Sequence, residues 1–252
     1  MQLGYQESGE GPVLLLVHGF PLDHTMWSGQ LKGLSDLRRV VAVDLRGRGK
    51  SPYAGDAWSI DDLAGDLAET IDALGVDQVD LAGHSMGGYI VFSVLRNHPE
   101  KVRSLILVDT KPEPDSDEAK EGRVKTAAQV REQGTGSLAE AMIPKYLGST
   151  PSNESKSATQ EMFQGVPGET AAADALAMRD RADSTKDLAQ ISVPTLVIHG
   201  EEDALIPSDI AGQMTLQING SRLVKVPNTG HMAPMEDPES VNRAIREFLE
   251  GT

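Results

Sequence analysis

No cysteine occurs among the 252 residues. Disulfides and thiolate metal sites are therefore excluded, and the lack of cysteine is compatible with a reducing cytoplasm. The six histidines show no His-Glu-x-x-His spacing. That argues against a zinc hydrolase, and no metal or other cofactor is expected. No run approaches the roughly 20 apolar residues that span a bilayer. Met1-Gln2-Leu3-Gly4-Tyr5-Gln6 has neither the basic region nor the apolar core of a signal peptide, so a cytoplasmic location is expected. Positive charge is scarce: 23 Lys and Arg stand against 38 Asp and Glu, a formal net charge of −15. Nucleic acid and anionic membranes are poor partners for such a chain. The same charge slows capture of anions and weighs against small dicarboxylates as substrates. A nucleotide phosphate loop is absent, because Gly49-Lys50-Ser51 lacks the glycine five residues earlier, where Asp44 stands. Arg46, Arg48 and Asp44 in that glycine-rich loop are read as scaffold ion pairing. No internal repeat breaks the chain into modules.

What the chain does have is alternation. Apolar runs at Val13–Val17, 40–43, 79–82, 105–108, 195–199 and 223–226 read as strands, the first as a central strand buried on both faces. Helical patterns lie between most of them. Ile60, Leu63, Ala64, Leu67, Ile71 and Leu74 follow helical spacing, with Ser59 as cap, Asp61 and Asp62 in the first turn and Gly75 at the end. A last helix, 238–249, buries Val241, Ala244, Ile245 and Phe248. Alternating strands and helices imply a mostly parallel sheet covered on both faces, with ligands at the carboxyl ends of the strands. The rhythm stops between Lys111 and Asp187. Pro112, Pro114, Asp115, Ser116 and Asp117 read as a linker, and the helices that follow are broken by glycine-rich turns at 134–136, 148–151 and 165–168.

The chemistry starts at Gly83-His84-Ser85-Met86-Gly87, a Gly-x-Ser-x-Gly between a strand-like and a helix-like run. A serine at such a turn is lifted clear of the sheet, next to a helix N-terminus whose free N–H groups suit an oxyanion. Its hydroxyl needs a base, and the base needs an acid to orient it. His231, in Asn228-Thr229-Gly230-His231, is the candidate base. Asp203, in Gly200-Glu201-Glu202-Asp203, is the candidate acid. Glu201, Glu202 and Asp109 compete for the acid role, and Asp203 has the better spacing to Pro207. The bland readings are a helix-capping serine and a loop histidine without a task. The run Val13–Val17 leads into His18-Gly19-Phe20-Pro21, and the oxyanion donors are assigned to the N–H groups of Phe20 and Met86. His18 and His84 are expected to hold the oxyanion loop and the serine turn. His24, His98 and His199 are expected to be structural or exposed.

With these segments the chain resembles the α/β-hydrolase superfamily, in particular its carboxylesterase, enol-lactonase and cofactor-free haloperoxidase members. The match runs through 18–23, 44–51, 83–88, 200–207 and 230–231, and is weakest over the middle helices. The resemblance implies an α/β-hydrolase fold formed by 1–110 and 188–252. It also implies a helical cap at 111–187, inserted after the family's sixth strand. Relatives often begin with an extra hairpin strand, and this chain starts almost directly at Leu3-Gly4-Tyr5, so the first edge strand is expected to be missing. Ser85, Asp203 and His231 take the triad roles. Leu22, Trp27, Leu205, Ile206, Met232, Tyr146, Phe163 and Met178 are the candidate pocket residues, beside Phe20 and Met86.

The implied function is cleavage of small carboxylic esters of short to medium acyl chain through an acyl-enzyme, without a cofactor, by a monomer or small homo-oligomer. A lactone, enol-lactone or C–C bond hydrolase would use the same triad. Arg123, Arg131, Lys145 or Arg179 would then meet a substrate carboxylate. Pro21 restricts the backbone of Phe20 and leaves room for a side activity with peroxide. A slow or non-catalytic ligand receptor on the same fold is the alternative of another class. Epoxide and haloalkane hydrolysis are excluded, since those relatives carry an aspartate where Ser85 stands.

Overall fold

The computed structural model describes residues 1–53, 55 and 57–251. Seven strands form one sheet in the order β1-β3-β2-β4-β5-β6-β7. They are β1 (Tyr5–Ser8), β2 (Val13–Val17), β3 (Arg39–Val43), β4 (Val79–His84), β5 (Val102–Val108), β6 (Thr195–Gly200) and β7 (Arg222–Val226). All pairs are parallel except β1 with β3, where Tyr5 faces Val43. The expected strands are present, the first with the expected bounds and the others extended by one to three residues. Strand β1 was not expected. Its sequence Tyr5-Gln6-Glu7-Ser8 is polar because it lies at an edge with no fully buried residue, so it carries no apolar signal. The sheet ends at this antiparallel strand, and no further strand precedes it among the described residues.

The central strands are covered on both faces, which explains their unbroken apolar runs. All of β2 is buried, as is all of β4. Covering helices include α1 (Ser28–Gly33), α2 (Ile60–Ala73) and α3 (Met86–Asn97). Helix α2 begins as its sequence predicts. Ser59 and Asp62 exchange hydrogen bonds in a capping box, and Gly75 takes φ 74° just past the end.

Between β5 and β6 the chain runs through α4 (Asp117–Gln133), α5 (Ala139–Tyr146), α6 (Asn153–Gly165) and α7 (Gly168–Arg179). The breaks between them fall at the predicted glycine-rich turns. The reading of 112–117 as a plain linker is corrected. Asp115 is buried there, bonded to Arg123 at 2.9 Å and Arg181 at 2.7 Å, and Ser116 caps α4. Prolines in its sequence signalled a break, and its tertiary partners were invisible. A second tie joins these helices to the sheet. Arg48 pairs with Asp174 of α7, which also accepts from the Trp58 indole N–H at 3.0 Å. The chain then passes through α8 (Ser208–Gln217) and α9 (Ala233–Glu236) to α10 (Pro238–Leu249). Helix α10 buries Val241, Ala244, Ile245 and Phe248 on one stripe, as expected. No helix among the described residues is long and apolar enough to cross a membrane.

Candidate active site

Strand β4 is sandwiched between β2 and β5 and ends at His84. The next residue, Ser85, takes φ 51° and ψ −114°, a strained conformation for a residue with a Cβ. The turn is tight enough to require its glycines. A Cβ on Gly83 would lie 2.6 Å from the Gly87 carbonyl carbon, and one on Gly87 would lie 2.8 Å from the His18 carbonyl oxygen. The Ser85 carbonyl accepts a hydrogen bond from the Thr110 hydroxyl at 2.8 Å. Helix α3 begins at Met86, so its N-terminal dipole faces the serine.

Two loops from distant parts of the sequence meet Ser85. His231 Nε2 lies 2.9 Å from the Ser85 hydroxyl oxygen, and His231 Nδ1 lies 2.7 Å from Asp203 Oδ2. An ionised Asp203 accepts from Nδ1–H, which leaves Nε2 as the acceptor of the serine proton. Burial alone would raise the Asp203 carboxyl. The neighbouring His231 and the N–H groups of Ile206 and Leu205 instead hold it below its ordinary value. The competitors for the acid role sit elsewhere. Glu201 is exposed, and Glu202 accepts from Ser149 N–H. Asp109 is fully buried and accepts from Gly200 N–H at 2.8 Å. Burial and the nearby Asp203 charge push its carboxyl well above the ordinary carboxylate range.

The N–H groups of Phe20 and Met86 donate to no protein acceptor among the described residues. The peptide bond from Phe20 to Pro21 is cis. The Phe20 carbonyl accepts a hydrogen bond from the Tyr146 hydroxyl of α5.

Three residues complete the frame. His84 donates from Nε2 to the His231 carbonyl at 2.6 Å, and its ring lies 4.9 Å from the His231 ring. Burial and the neighbouring His231 push its pKa down to about 3. His18 hydrogen-bonds the Gly19 carbonyl from Nδ1 at 2.8 Å and accepts from Leu45 N–H on Nε2, and its pKa is likewise about 3 because it is buried beside Arg48. Nothing in the sequence signals Glu236. Its two oxygens accept from Gly148 and Gly230, each at 2.8 Å, and so tie the turn after α5 to the His231 loop. Only the crossing of two loops far apart in sequence reveals it.

The candidate pocket residues separate. Tyr146 stands with its ring edge-on to His231 at 5.2 Å and to Phe163 at 5.3 Å. Trp27 packs its edge on His84 at 6.4 Å. Leu22, Met232, Ile206 and Met178 are buried. Leu205 is 37% exposed and turns its side chain to solvent, although its N–H is bonded to Asp203. Of the basic candidates, Arg131 pairs with Glu169 and Arg179 with Asp180 at the surface. His24 pairs with Asp44, and Arg46 with Asp66. His199 is buried beside Asp109 and Asp203. These three could approach a cation within 4.8 Å of one another, but Asp203 Oδ2 is already committed to His231.

The alpha/beta hydrolase fold family matches residues 12–238, most of the chain. The chain belongs to the α/β hydrolase family. Among solved structures of the family, a malate-bound thermophilic esterase from Thermogutta terrifontis superposes with a TM-score of 0.96. It is 42% identical, over 99% of this chain and 93% of its own. The AB hydrolase superfamily protein YisY of Bacillus subtilis is 31% identical, over 96% of this chain and 93% of its own length. The bifunctional esterase/perhydrolase DCH of Acinetobacter calcoaceticus is 28% identical, over 95% and 92%. Family members thus share the whole length of this α/β hydrolase, the helices between β5 and β6 included.

Proposed function

We propose that this α/β hydrolase is a serine esterase for short to medium acyl chains, with Ser85, His231 and Asp203 as its catalytic triad. The hydrogen-bonded line from Asp203 Oδ2 through His231 to Ser85 Oγ, with steps of 2.7 Å and 2.9 Å, carries the reading. Ser85 Oγ attacks the ester carbonyl carbon while His231 Nε2 takes its proton. The oxygen that gains the negative charge is met by the N–H groups of Phe20 and Met86, which have no protein acceptor to leave. His231 returns the proton to the departing alcohol, leaving an acyl-Ser85. A water then gives its proton to His231 and attacks the acyl carbon, and the carboxylic acid leaves as Ser85 regains its proton. Asp203 stabilises the charged imidazole in both halves.

Residues 111–187 act as a cap in this reading. Tyr146 reaches from α5 to the Phe20 carbonyl and the His231 ring, with Phe163 behind it, which supports an apolar acyl pocket at that edge. Peroxide in place of water would release a peracid from the same acyl-enzyme. The likeness to an esterase/perhydrolase supports that side activity.

The test is hydrolysis of p-nitrophenyl acetate, butyrate and octanoate by the wild type and by Ser85→Ala and Asp203→Asn. Turnover should fall by about 10³-fold or more in each variant, with octanoate the poorest ester. A folded wild type that hydrolyses none of them overturns the reading.

A further inference from the structure

Two polar side chains, one on the helix that follows Ser85 and one on α4, have no task in that mechanism. Tyr89 stands one turn into α3, the helix that opens at Ser85. Its ring is buried, yet its hydroxyl makes no hydrogen bond among the described residues and is not sealed from solvent. Arg123, on α4, uses only Nε, bonded to Asp115 at 2.9 Å. Its two terminal nitrogens have no protein partner among the described residues and are not sealed off either, with the side chain 26% exposed.

A chain of contacts fixes both groups to one place. The carboxylate of Asp115 holds Arg123 on one oxygen and Arg181 on the other, and Arg181 lies 4.2 Å over the Tyr89 ring. The Arg123 charge acts on the hydroxyls of Tyr89 and Tyr146 alike. Tyr146 in turn touches His231 and the Phe20 carbonyl. Lys111 at the end of β5 belongs to the same group, half-buried among Arg181, Asp115, Glu113 and Arg123. Arg123, Arg181 and Lys111 gather there with Asp115 and Glu113, and the Asp203 charge reaches the Tyr89 hydroxyl too, a concentration of cations in a chain whose net charge is −15. The overall charge argued against anionic substrates. At short range, within a Debye length of about 8 Å, the local balance decides.

We infer that Arg123 and Tyr89 form an anion subsite of the Ser85 site, which takes the free carboxylate of a half-ester of a short dicarboxylic acid. The inference rests on the esterase reading above. A guanidinium edge with two free nitrogens matches a carboxylate in a fork, and the phenol supplies a third donor. The Asp115 bond at Nε orients that edge and leaves it unoccupied. In the reaction, water cleaves the ester bond of the half-ester and releases the alcohol and the dicarboxylate. The carboxylate at Arg123 takes no part in the bond changes.

The experiment compares monoethyl succinate with ethyl butyrate, which differ by a carboxylate in place of a methyl group. Both are followed by acid release with the wild type, Arg123→Gln, Arg123→Lys and Tyr89→Phe. The wild type should prefer the half-ester, and raising salt should narrow the preference. Arg123→Gln, whose amide can still bond Asp115, should shift the kcat/KM ratio against the half-ester by about tenfold or more, mainly through KM. Tyr89→Phe and Arg123→Lys should shift it less. A ratio that is the same in wild type and Arg123→Gln overturns the subsite, even if both esters slow together, because a merely structural role moves both. If the wild type hydrolyses neither ester, the esterase reading has failed, and succinate binding by calorimetry decides the subsite alone. Binding that weakens tenfold in Arg123→Gln supports it, and no binding, or equal binding, overturns it. If Arg123→Gln does not fold, Arg123→Lys and Tyr89→Phe carry the same comparison.

Discussion

A neutral imidazole has one N–H to give, and His84 gives it to the backbone of His231. Its Nδ1 has no partner among the described residues, and a Cβ on Gly19 would come within 2.6 Å of it, so the ring fills the space between the loops that carry Gly19 and His231. Such a ring cannot take up a proton without losing its fit. His18 is in the same position, with its two nitrogens committed to Gly19 and Leu45. Both have folded pKa values near 3 against an ordinary 6.5, because both are buried. The unfolded chain therefore binds more protons than the folded one between pH 6.5 and 3. Their contribution to stability is full above pH 6.5 and is lost as the pH falls, on the order of 3 kcal/mol for each by pH 4. Urea titrations between pH 7 and 4 should show this fall, and a His84→Gln variant should show a shallower one even though it starts from lower stability. Equal slopes would mean that His84 does not stay neutral in the folded protein.

At the scale of the element, each site residue sits where a strand or helix ends. The strand β4 carries Ser85, β6 leads to Asp203, β7 leads to His231 and β2 leads to Phe20. Parallel strands bring all these ends to one edge of the sheet, so four segments spread over the chain share one site. The helices are set by short local devices. Ser59 in front of α2 accepts from Asp62 N–H at 3.0 Å, and Asp62 accepts from Ser59 N–H at 2.8 Å. Ser59→Ala should lower stability by about 1 kcal/mol in denaturant melts without changing turnover, because among the described residues no hydrogen bond of Ser85, His231 or Asp203 comes from α2. A loss of activity at unchanged stability would mean that α2 contributes to the site itself.

At the scale of the molecule, the helices between β5 and β6 are held by apolar packing, with Ala171, Ala172, Ala173, Ala175, Ala177 and Met178 of α7 buried, and by buried ions as well. Helix α4 buries only Ala127 and Val130. The Arg48–Asp174 pair, with both side chains almost fully buried, ties α7 to the loop after β3. Breaking one partner leaves the other buried and unpaired, which costs far more than replacing both. Arg48→Met should therefore destabilise by about 3–5 kcal/mol, and the double variant Arg48→Met with Asp174→Leu should recover much of that, both read from thermal melts. A double variant no better than the single one would show that the pair contributes packing more than charge.

The sequence by itself determined the repeating strand and helix order, the turn at Gly83–Gly87, and the three residues Ser85, Asp203 and His231. The strands and the turn are signalled locally: apolar runs mark the strands, and a Gly-x-Ser-x-Gly between a strand-like and a helix-like run marks the turn. It could not reveal β1, whose polar residues are those of an exposed edge. Nor could it separate Leu205, which points outward, from Tyr146, which packs against His231. The tertiary structure alone decided the roles of Glu236, Asp115 and the free edge of Arg123. Each of these is defined by partners far away in sequence, and only packing shows whether a charged side chain is neutralised, buried or left open for a ligand.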